Sequence, residues 1–428
     1  MDKKKQIELI TEHIRRGEKP RELFKLGVEI EHFVLWEDSL KTVSYYGADG
    51  VETTLREISK NGWEPSFEGD YMLALKKGDL TITLEPGSQL EVSIEAKKEI
   101  SEIEESYMRF LDELLPVLES KGQVLAALGY HPVTRIEEIT LLPKKRYDIM
   151  FDYFKNKGSH AHNMMKGTGA FQVSIDYSDE NDYRRKFRVV NALAPVFYGL
   201  FENALFFEGE PCITHNLRAY VWMNCDNDRA GTVEAALKDD YSYEDYAKYL
   251  LEKPPIFTIR DNEIVQTHDK KIFEIMDVDD ISEKEVEHLM TMFFPDARTK
   301  DYIEIRMMDS VPYPLNMAAV ALIKGTLYDE DNLKKLYEFA KPVTAKDILA
   351  SKIELLDKGM DAKVNGKSVL EIGKWMLEMA RSSLGDESKY LEPLEELLMQ
   401  GKNPYVFTKE NFHREDRREA VQWAILRR

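Results

Sequence analysis

Cysteine is almost missing from this chain: Cys212 and Cys225 are the only two in 428 residues. That is too few for the disulfide framework of a small secreted domain, although one bridge stays open, and it fits a reducing compartment. Long apolar runs are missing too. No stretch approaches the roughly 20 apolar residues that a membrane helix needs. The opening MDKKKQIELITEHIRRGEKPRELF has the pattern of a charged amphipathic helix, without the apolar region of a secretory signal. The expectation is a cytoplasmic protein with no membrane partner. Basic excess is the third absence. The formal net charge is −19, and no Lys/Arg stripe offers the phosphate contacts of a nucleic-acid binder, so nucleic acid is excluded as the main partner. An anionic ligand then needs locally gathered arginine and lysine, or metal ions.

Common catalytic motifs are absent as well. There is no G-x-x-x-x-G-K-[ST], and the GTG at 167–169 lacks the third glycine of a dinucleotide turn. No G-x-S-x-G occurs and neither cysteine has a positioned histidine beside it in a known nucleophile motif, which leaves nucleophilic hydrolysis without a foothold. His160 and His162 have HxH spacing, but no second His or Cys cluster accompanies them, so an ordinary polar loop is the simpler reading than a transition-metal site. Asn224, Asp226 and Asp228 alternate like the start of a calcium loop but lack its closing glutamate; a hydrogen-bonded turn accounts for them.

What is present is a globular composition, 43% hydrophobic, enough for a sizeable core. After the leading helix, strand-like runs appear at LGVEIEHFVLW, MLALKK, DLTITLE and QLEVSIE, separated by glycine-containing turns. A long helix follows at about residues 98–121, then a strand in GQVLAALGYHP, a short helix in KKRYDIMFDYFKNKG and a strand in GAFQVSIDYS. A long buried helix with an acidic first turn spans DENDYRRKFRVVNALAPVFYGLFEN, and Pro195 is expected to kink or restart it. LRAYVWMNCDNDRAG reads as a strand entering an acidic turn, YEDYAKYLLEK as a helix and DYIEIRMMDS as a late strand. The fold class is α+β: an N-terminal helix over 1–25, a mainly antiparallel sheet with flanking helices over 26–330, and a helical region over 331–428 packed on that core.

Successive strand residues point to opposite faces. Glu29 and Glu31 therefore share one face, opposite Val28 and Ile30. The same split places Glu91, Ser93 and Glu95 opposite Leu90, Val92 and Ile94; Gln172, Ser174 and Asp176 opposite Phe171, Val173 and Ile175; and Glu304 and Arg306 opposite Ile303 and Ile305. Any one such strand fits a half-solvated antiparallel sheet. A solvated face normally mixes lysine, threonine and arginine among its acids, and these strands carry mostly Glu, Gln, Ser and Asp. If they pair in one sheet, carboxylates converge, and a hard divalent cation with oxygen ligands relieves the repulsion; Mg²⁺ suits this, since it is commonly held by a few carboxylates plus substrate phosphates. Glu85, just across the Pro86-Gly87 break from Glu91, joins this set.

GVEIEHF, TLEPGSQLEVS, LPKKRYDIM, FQVSIDYS, RRKFRVVNALAP, LRAYVWMNCDNDRAG and YIEIRMMD, in this order between about residues 26 and 330, resemble the glutamate–cysteine ligase family, in its plant and bacterial branch. The resemblance implies a glutamine-synthetase-like antiparallel sheet curved into a funnel, with a catalytic domain over 26–330. It implies ATP bound through two or three Mg²⁺ ions, and the small-molecule substrates L-glutamate and L-cysteine. Glutamate is activated as γ-glutamyl phosphate, and the cysteine amine then displaces phosphate to give γ-glutamylcysteine, the first intermediate of glutathione.

On this resemblance Glu29, Glu31, Glu85, Glu91 and Glu304 are the metal-ligand candidates. Arg306 and Glu304 are catalytic, with Arg306 reaching the transferring phosphate. Lys145 and Arg146, next to Lys144, are nucleotide contacts, and Arg146 also approaches the substrate. Arg218 grips the glutamate α-carboxylate, with Gln172 and Trp222 as further substrate contacts. Thiol regulation is not carried over, because Cys212 and Cys225 match no redox switch. The alternatives are a ligase that joins glutamate to another amine, a non-catalytic relative that binds an amino acid or nucleotide, and a metal-dependent hydrolase.

Overall fold

The computed structural model describes residues 2–260, 263–413 and 416–427. Its central element is β1 (Leu26–Trp36), whose apolar residues alternate with Glu29 and Glu31 through the first half of the strand. This half pairs on one side with β5 (Leu90–Lys97) and on the other with β7 (Ala170–Ile175). Its second half, from Phe33, pairs instead with β6 (Gln123–Ala126). Around this core lie β2 (Glu64–Glu68), β3 (Tyr71–Lys77), β4 (Leu80–Leu84), β8 (Ala297–Thr299) and β9 (Ile303–Asp309). The order is β8-β9-β7-β1-β5-β4-β3-β2, antiparallel throughout. β10 (Ile425–Leu426) brings the end of the chain back onto β6.

Register is fixed by burial. Val28, Ile30, Val92, Ile94, Val173, Ile175, Ile303 and Ile305 all lie within one apolar cluster. A slip of one residue would exchange these side chains for the carboxylates, forfeiting roughly 1.5–3 kcal/mol per apolar side chain. Helices cover the apolar side. α1 (Lys3–Arg15) leads the chain, and α2 (Ile100–Ser120), started by a Glu99/Glu102 capping box, packs on β5 and β6. The helix expected across Pro195 is two: α4 (Glu180–Ala192) ends before the proline, and α5 (Ala194–Leu200) takes it into its first turn, where a missing N–H costs nothing. α3 (Lys145–Phe154) precedes them; α6 (Leu217–Met223), α7 (Tyr243–Leu251) and α8 (Glu283–Thr291) follow. α9 (Leu315–Leu327) is almost wholly buried, and α10 (Val369–Ser383) packs against it and α5.

One element departs from the sequence reading. LRAYVWM is the helix α6 and not a strand. Val221 and the aromatic pair Tyr220 and Trp222 carry strand propensity, but the cap decides: Asn216 adopts φ 50° and its side chain accepts the Ala219 N–H at 3.2 Å. Among the described residues no helix is long and apolar enough to cross a membrane.

Buried His131 adds a pH dependence. Its Nε2–H donates to the Lys166 carbonyl at 2.9 Å, which leaves Nδ1 to accept from the Thr42 hydroxyl. Burial lowers its pKa to about 4. A histidine kept neutral in the fold but free to protonate when unfolded stabilises above its unfolded value of about 6.5, and that contribution is lost as pH falls toward about 4. The slope it adds is at most one proton, about 1.4 kcal/mol per pH unit. Urea unfolding across this range is expected to show His131→Gln with a shallower pH dependence than the parent; an identical slope would assign the acid sensitivity elsewhere.

Candidate active site

Pairing brings the acidic residues together. Glu29 stands opposite Gln172 on one side and Ser93 on the other. Glu31 stands directly opposite Glu91, which in turn faces Thr83. Glu304 stands opposite Ser174 and Arg298. Like charges directly across a ladder repel, and Glu31 and Glu304 are buried while Glu29 and Glu91 are half-buried, so charge on them is costly. Burial first, then Glu85, pushes Glu31 up to about 8. Burial and Glu304 raise Glu29, and burial together with Glu29, Glu85 and Glu31 raises Glu91 well above the ordinary carboxylate range. Fixed donors meet some of the oxygens: the Ala170 N–H on Glu31 at 2.8 Å and the Thr83 hydroxyl on Glu91 at 2.7 Å.

Glu304 has the opposite character. Burial opposes its charge, yet Arg298, Lys300 and Arg306 outweigh burial and hold it well below the usual range. Arg298 lies at 2.8 Å, Lys300 at 3.2 Å and Arg306 at 2.5 Å. Both its oxygens are therefore engaged, and it would ligate a metal only by giving up a cation. Arg306 also donates to the Gln172 side chain. The outer ends of the acidic stripe are neutralised locally, Glu95 by Lys76 and Asp176 by Lys19.

Glu85 reaches the set from a turn. Its N–H donates to the Gln89 carbonyl, closing the Pro86-Gly87 break. Gly87 is required there, since a Cβ would stand 2.4 Å from the Lys166 carbonyl oxygen. The Tyr147 hydroxyl lies 3.5 Å from Glu85, and the Tyr147 ring carries Lys144 and Arg146 at 5.0 and 4.8 Å from its centroid. Lys144 is lowered to about 8 by burial and by Arg146, with Glu85 and Glu91 pulling the other way. Arg146 feels the same two carboxylates. Lys145 is exposed, and its backbone N–H donates to Glu68 at 2.8 Å. The structure thus turns Lys144 and Arg146 toward the acids and leaves Lys145 apart.

Arg218 enters from α6. It is 4% exposed; one Nη2–H donates to the Arg306 carbonyl at 3.0 Å, while Nε and Nη1 have no partner. A buried guanidinium with open donors is suited to an anion. Half-buried Trp222 lies one turn further on, its ring 5.7 Å from the guanidinium, and lines a cavity of about 480 Å³ with Tyr198, Tyr249, Asp296 and Lys352. A second space of about 300 Å³ adjoins Glu29, between Lys19, Lys25, Ser93, Ser174 and Tyr302.

Several residues of this site went unread in the sequence. Arg298 and Lys300 lie on or just after a three-residue strand, too short for a periodic pattern; their one signal is basic spacing just before the acidic strand. Nothing in the sequence singled out Thr83 or Tyr147. The remaining motifs have local roles. His160 bonds Asn163 and Tyr220, and His162 bonds the Phe151 carbonyl while stacking on that ring at 3.9 Å. Asp226 closes a hydrogen-bonded turn onto the Asp228 N–H and pairs with Arg229. On α4, Lys186 pairs with Asp182, Arg188 with Asp239 and Arg185 with Glu330. Cys212 and Cys225 are free, each pushed by burial up to about 12.

A family model described as glutamate–cysteine ligase family 2 matches residues 25–422. The chloroplastic glutamate–cysteine ligase of Arabidopsis thaliana is 28% identical over 406 residues, spanning 92% of this chain and 77% of that protein. The chloroplastic glutamate–cysteine ligase B of Oryza sativa subsp. japonica is 28% identical over 379 residues, spanning 86% of this chain and 75% of its own. A solved structure of glutamate–cysteine ligase from Francisella tularensis, in complex with AMP, has a TM-score of 0.53 at 11% identity, covering 94% of this chain and 87% of that one. That likeness is one of fold. With a match that runs over nearly its whole length, the chain belongs to glutamate–cysteine ligase family 2.

Proposed function

We infer that this chain joins the side-chain carboxylate of L-glutamate to the amine of L-cysteine at the expense of ATP, giving γ-glutamylcysteine, with Mg²⁺ bound at the acidic face. The observation that carries the reading is the directly opposed pair Glu31 and Glu91, with Glu29 on the same face and Arg306 beside it. The donors fit the ion: they are carboxylate oxygens, buried or half-buried and held together against their own repulsion, the environment a hard divalent cation stabilises. Glu29, Glu31, Glu85 and Glu91 would hold it, and Glu304 would join them by releasing a cation. When bound, such ions neutralise the nucleotide phosphates and the charge that develops during transfer.

The residues of the chain do the remaining work by position and charge. Arg218 takes the α-carboxylate of glutamate on its open donors, which leaves the γ-carboxylate free to point toward the acidic face. Two anions must meet, the attacking carboxylate and the terminal phosphoryl group, so neutralisation and alignment dominate the barrier. Arg306 supplies a fork for the phosphoryl oxygens and is held by Glu304 and Gln172. Lys144 and Arg146 add positive charge beside Glu85 and Glu91. A γ-carboxylate oxygen bonds to phosphorus as the bond to ADP breaks; the amine nitrogen then bonds to the acyl carbon, phosphate leaves with the C–O electron pair, and the nitrogen gives up its proton. The AMP bound to the Francisella tularensis ligase agrees with a nucleotide site on this fold.

The test is ADP release from Mg²⁺-ATP and L-glutamate, with and without L-cysteine, beside a panel of other amino acids and amines. Cysteine-dependent release with γ-glutamylcysteine in the product is expected. Stronger stimulation by another amine would replace the acceptor, and silence with every amine would defeat the ligase reading. Arg218→Lys keeps the charge and loses the fork, so KM for glutamate is expected to rise about tenfold or more, equivalent to about 1.4 kcal/mol, with KM for ATP unchanged. Equal changes in both constants would remove Arg218 from the glutamate subsite.

A further inference from the structure

We propose that His13, Glu283 and Glu287 form a second metal site, separate from the acidic sheet face, that takes a transition-metal dication of the zinc type where α1 meets α8. One ligand atom from each of the three lies within 4.8 Å of the others. His13 sits on α1 and is only 9% exposed, and no side-chain hydrogen bond satisfies its ring among the described residues. The ring nitrogens are not sealed off with the rest of the side chain, so an ion can reach them, and no protein group among the described residues occupies them. Here the ring faces two carboxylates and bonds neither.

Glu283 and Glu287 stand one turn apart on α8, where like charges face each other and repel. Arg16, three residues beyond His13, neutralises Glu283 at 2.5 Å. Glu287 has no ion-pair partner among the described residues. One imidazole nitrogen with two carboxylate oxygens suits Zn²⁺ or Co²⁺, with water completing the shell, and is a poor match for Mg²⁺ or Ca²⁺, which prefer all-oxygen sites. Both glutamates are exposed, so an ion can enter and leave without unfolding.

The location gives the site a consequence. α1 continues into Gly17, packed so closely on the Asp301 carbonyl that a Cβ would stand 2.0 Å from its oxygen, and into Lys19, paired with Asp176 at the end of β7. α8 continues toward β8 and Arg298. An ion held between the two helices fastens the leading helix to the segment that carries Arg298 and Lys300. It therefore stabilises the fold at a distance from the reacting groups, and the proposal does not depend on the ligase reading.

The experiment uses the full chain in excess Mg²⁺, so that the acidic face is occupied, and titrates Zn²⁺ by calorimetry and Co²⁺ by visible absorption. One Zn²⁺ per chain, a Co²⁺ ligand-field band and a higher Tm with Zn²⁺ are expected. Glu287→Gln, a surface change compatible with folding, and His13→Ala are each expected to weaken Zn²⁺ binding at least about tenfold and to remove the Tm increment. Zn²⁺ binding of equal strength in Glu287→Gln and parent, or none above the Mg²⁺-saturated background, would overturn the site.

Discussion

Glu91→Gln is expected to lower ADP release by at least about a hundredfold while the metal-free protein stays as stable as the parent or becomes more so. The loss follows the usual cost of removing one electrostatic contact in a preorganised site, about 10²–10³ in rate. The stability follows from the register: Glu91 lies directly opposite Glu31, with Glu29 and Glu85 close enough to raise it further. Removing one of several crowded negative charges relieves repulsion, and the amide oxygen of glutamine can still accept from Thr83. A purely structural Glu91 predicts the reverse, a fall in Tm with turnover intact. Steady-state turnover in excess Mg²⁺-ATP, beside melting curves with a chelator, separates the two. Mg²⁺ should also raise the Tm of the parent more than that of the variant. Turnover equal to the parent's would exclude the opposed pair as the ion's seat.

The acidic face was readable because strands have a period of two and their apolar halves are unambiguous. Once Val28 and Ile30 are inside, Glu29 and Glu31 have one place to go, and the same holds for Glu91 and for Glu304 with Arg306. Pairing could not be read. That β7 and β5 flank β1, with Gln172 and Ser93 on either side of Glu29, depends on contacts between residues far apart in sequence. Propensity misled at α6, where Tyr220, Val221 and Trp222 favour a strand and a single asparagine cap decides for a helix. The basic run was the other difficulty. Adjacent Lys144, Lys145 and Arg146 look equivalent in sequence, but the extended backbone of Lys144 at the N-cap of α3 lets it share the Tyr147 ring beside Glu85 with Arg146, a contact Lys145 does not make.

Arg298 is the residue the sequence concealed most completely, and the second large effect is expected there. The residue is 7% exposed; Nη1 donates to the Thr291 and Phe293 carbonyls at 3.1 Å each, and Nη2 to Glu304. Arg298→Met fills most of the volume but leaves both carbonyls without that donor and removes the first of the three cations that keep Glu304 charged. Leaving a buried charge wholly uncompensated costs about 3–5 kcal/mol; Lys300 and Arg306 stay beside Glu304, so the urea midpoint is expected to fall by the equivalent of the lower end of that range, about 3 kcal/mol. Turnover should fall as well, since Arg306 shares the Glu304 carboxylate and loses its alignment when the carboxylate shifts or protonates. The double variant Arg298→Met with Glu304→Gln separates pairing from packing. If the cost lies in a stranded carboxylate, the second change restores part of the lost stability, with a coupling of about 0.5–3 kcal/mol; strict additivity would show that Arg298 acts through the two carbonyls alone. In either case turnover is not restored, because the guanidinium beside the phosphoryl site depends on the carboxylate that the second change removes.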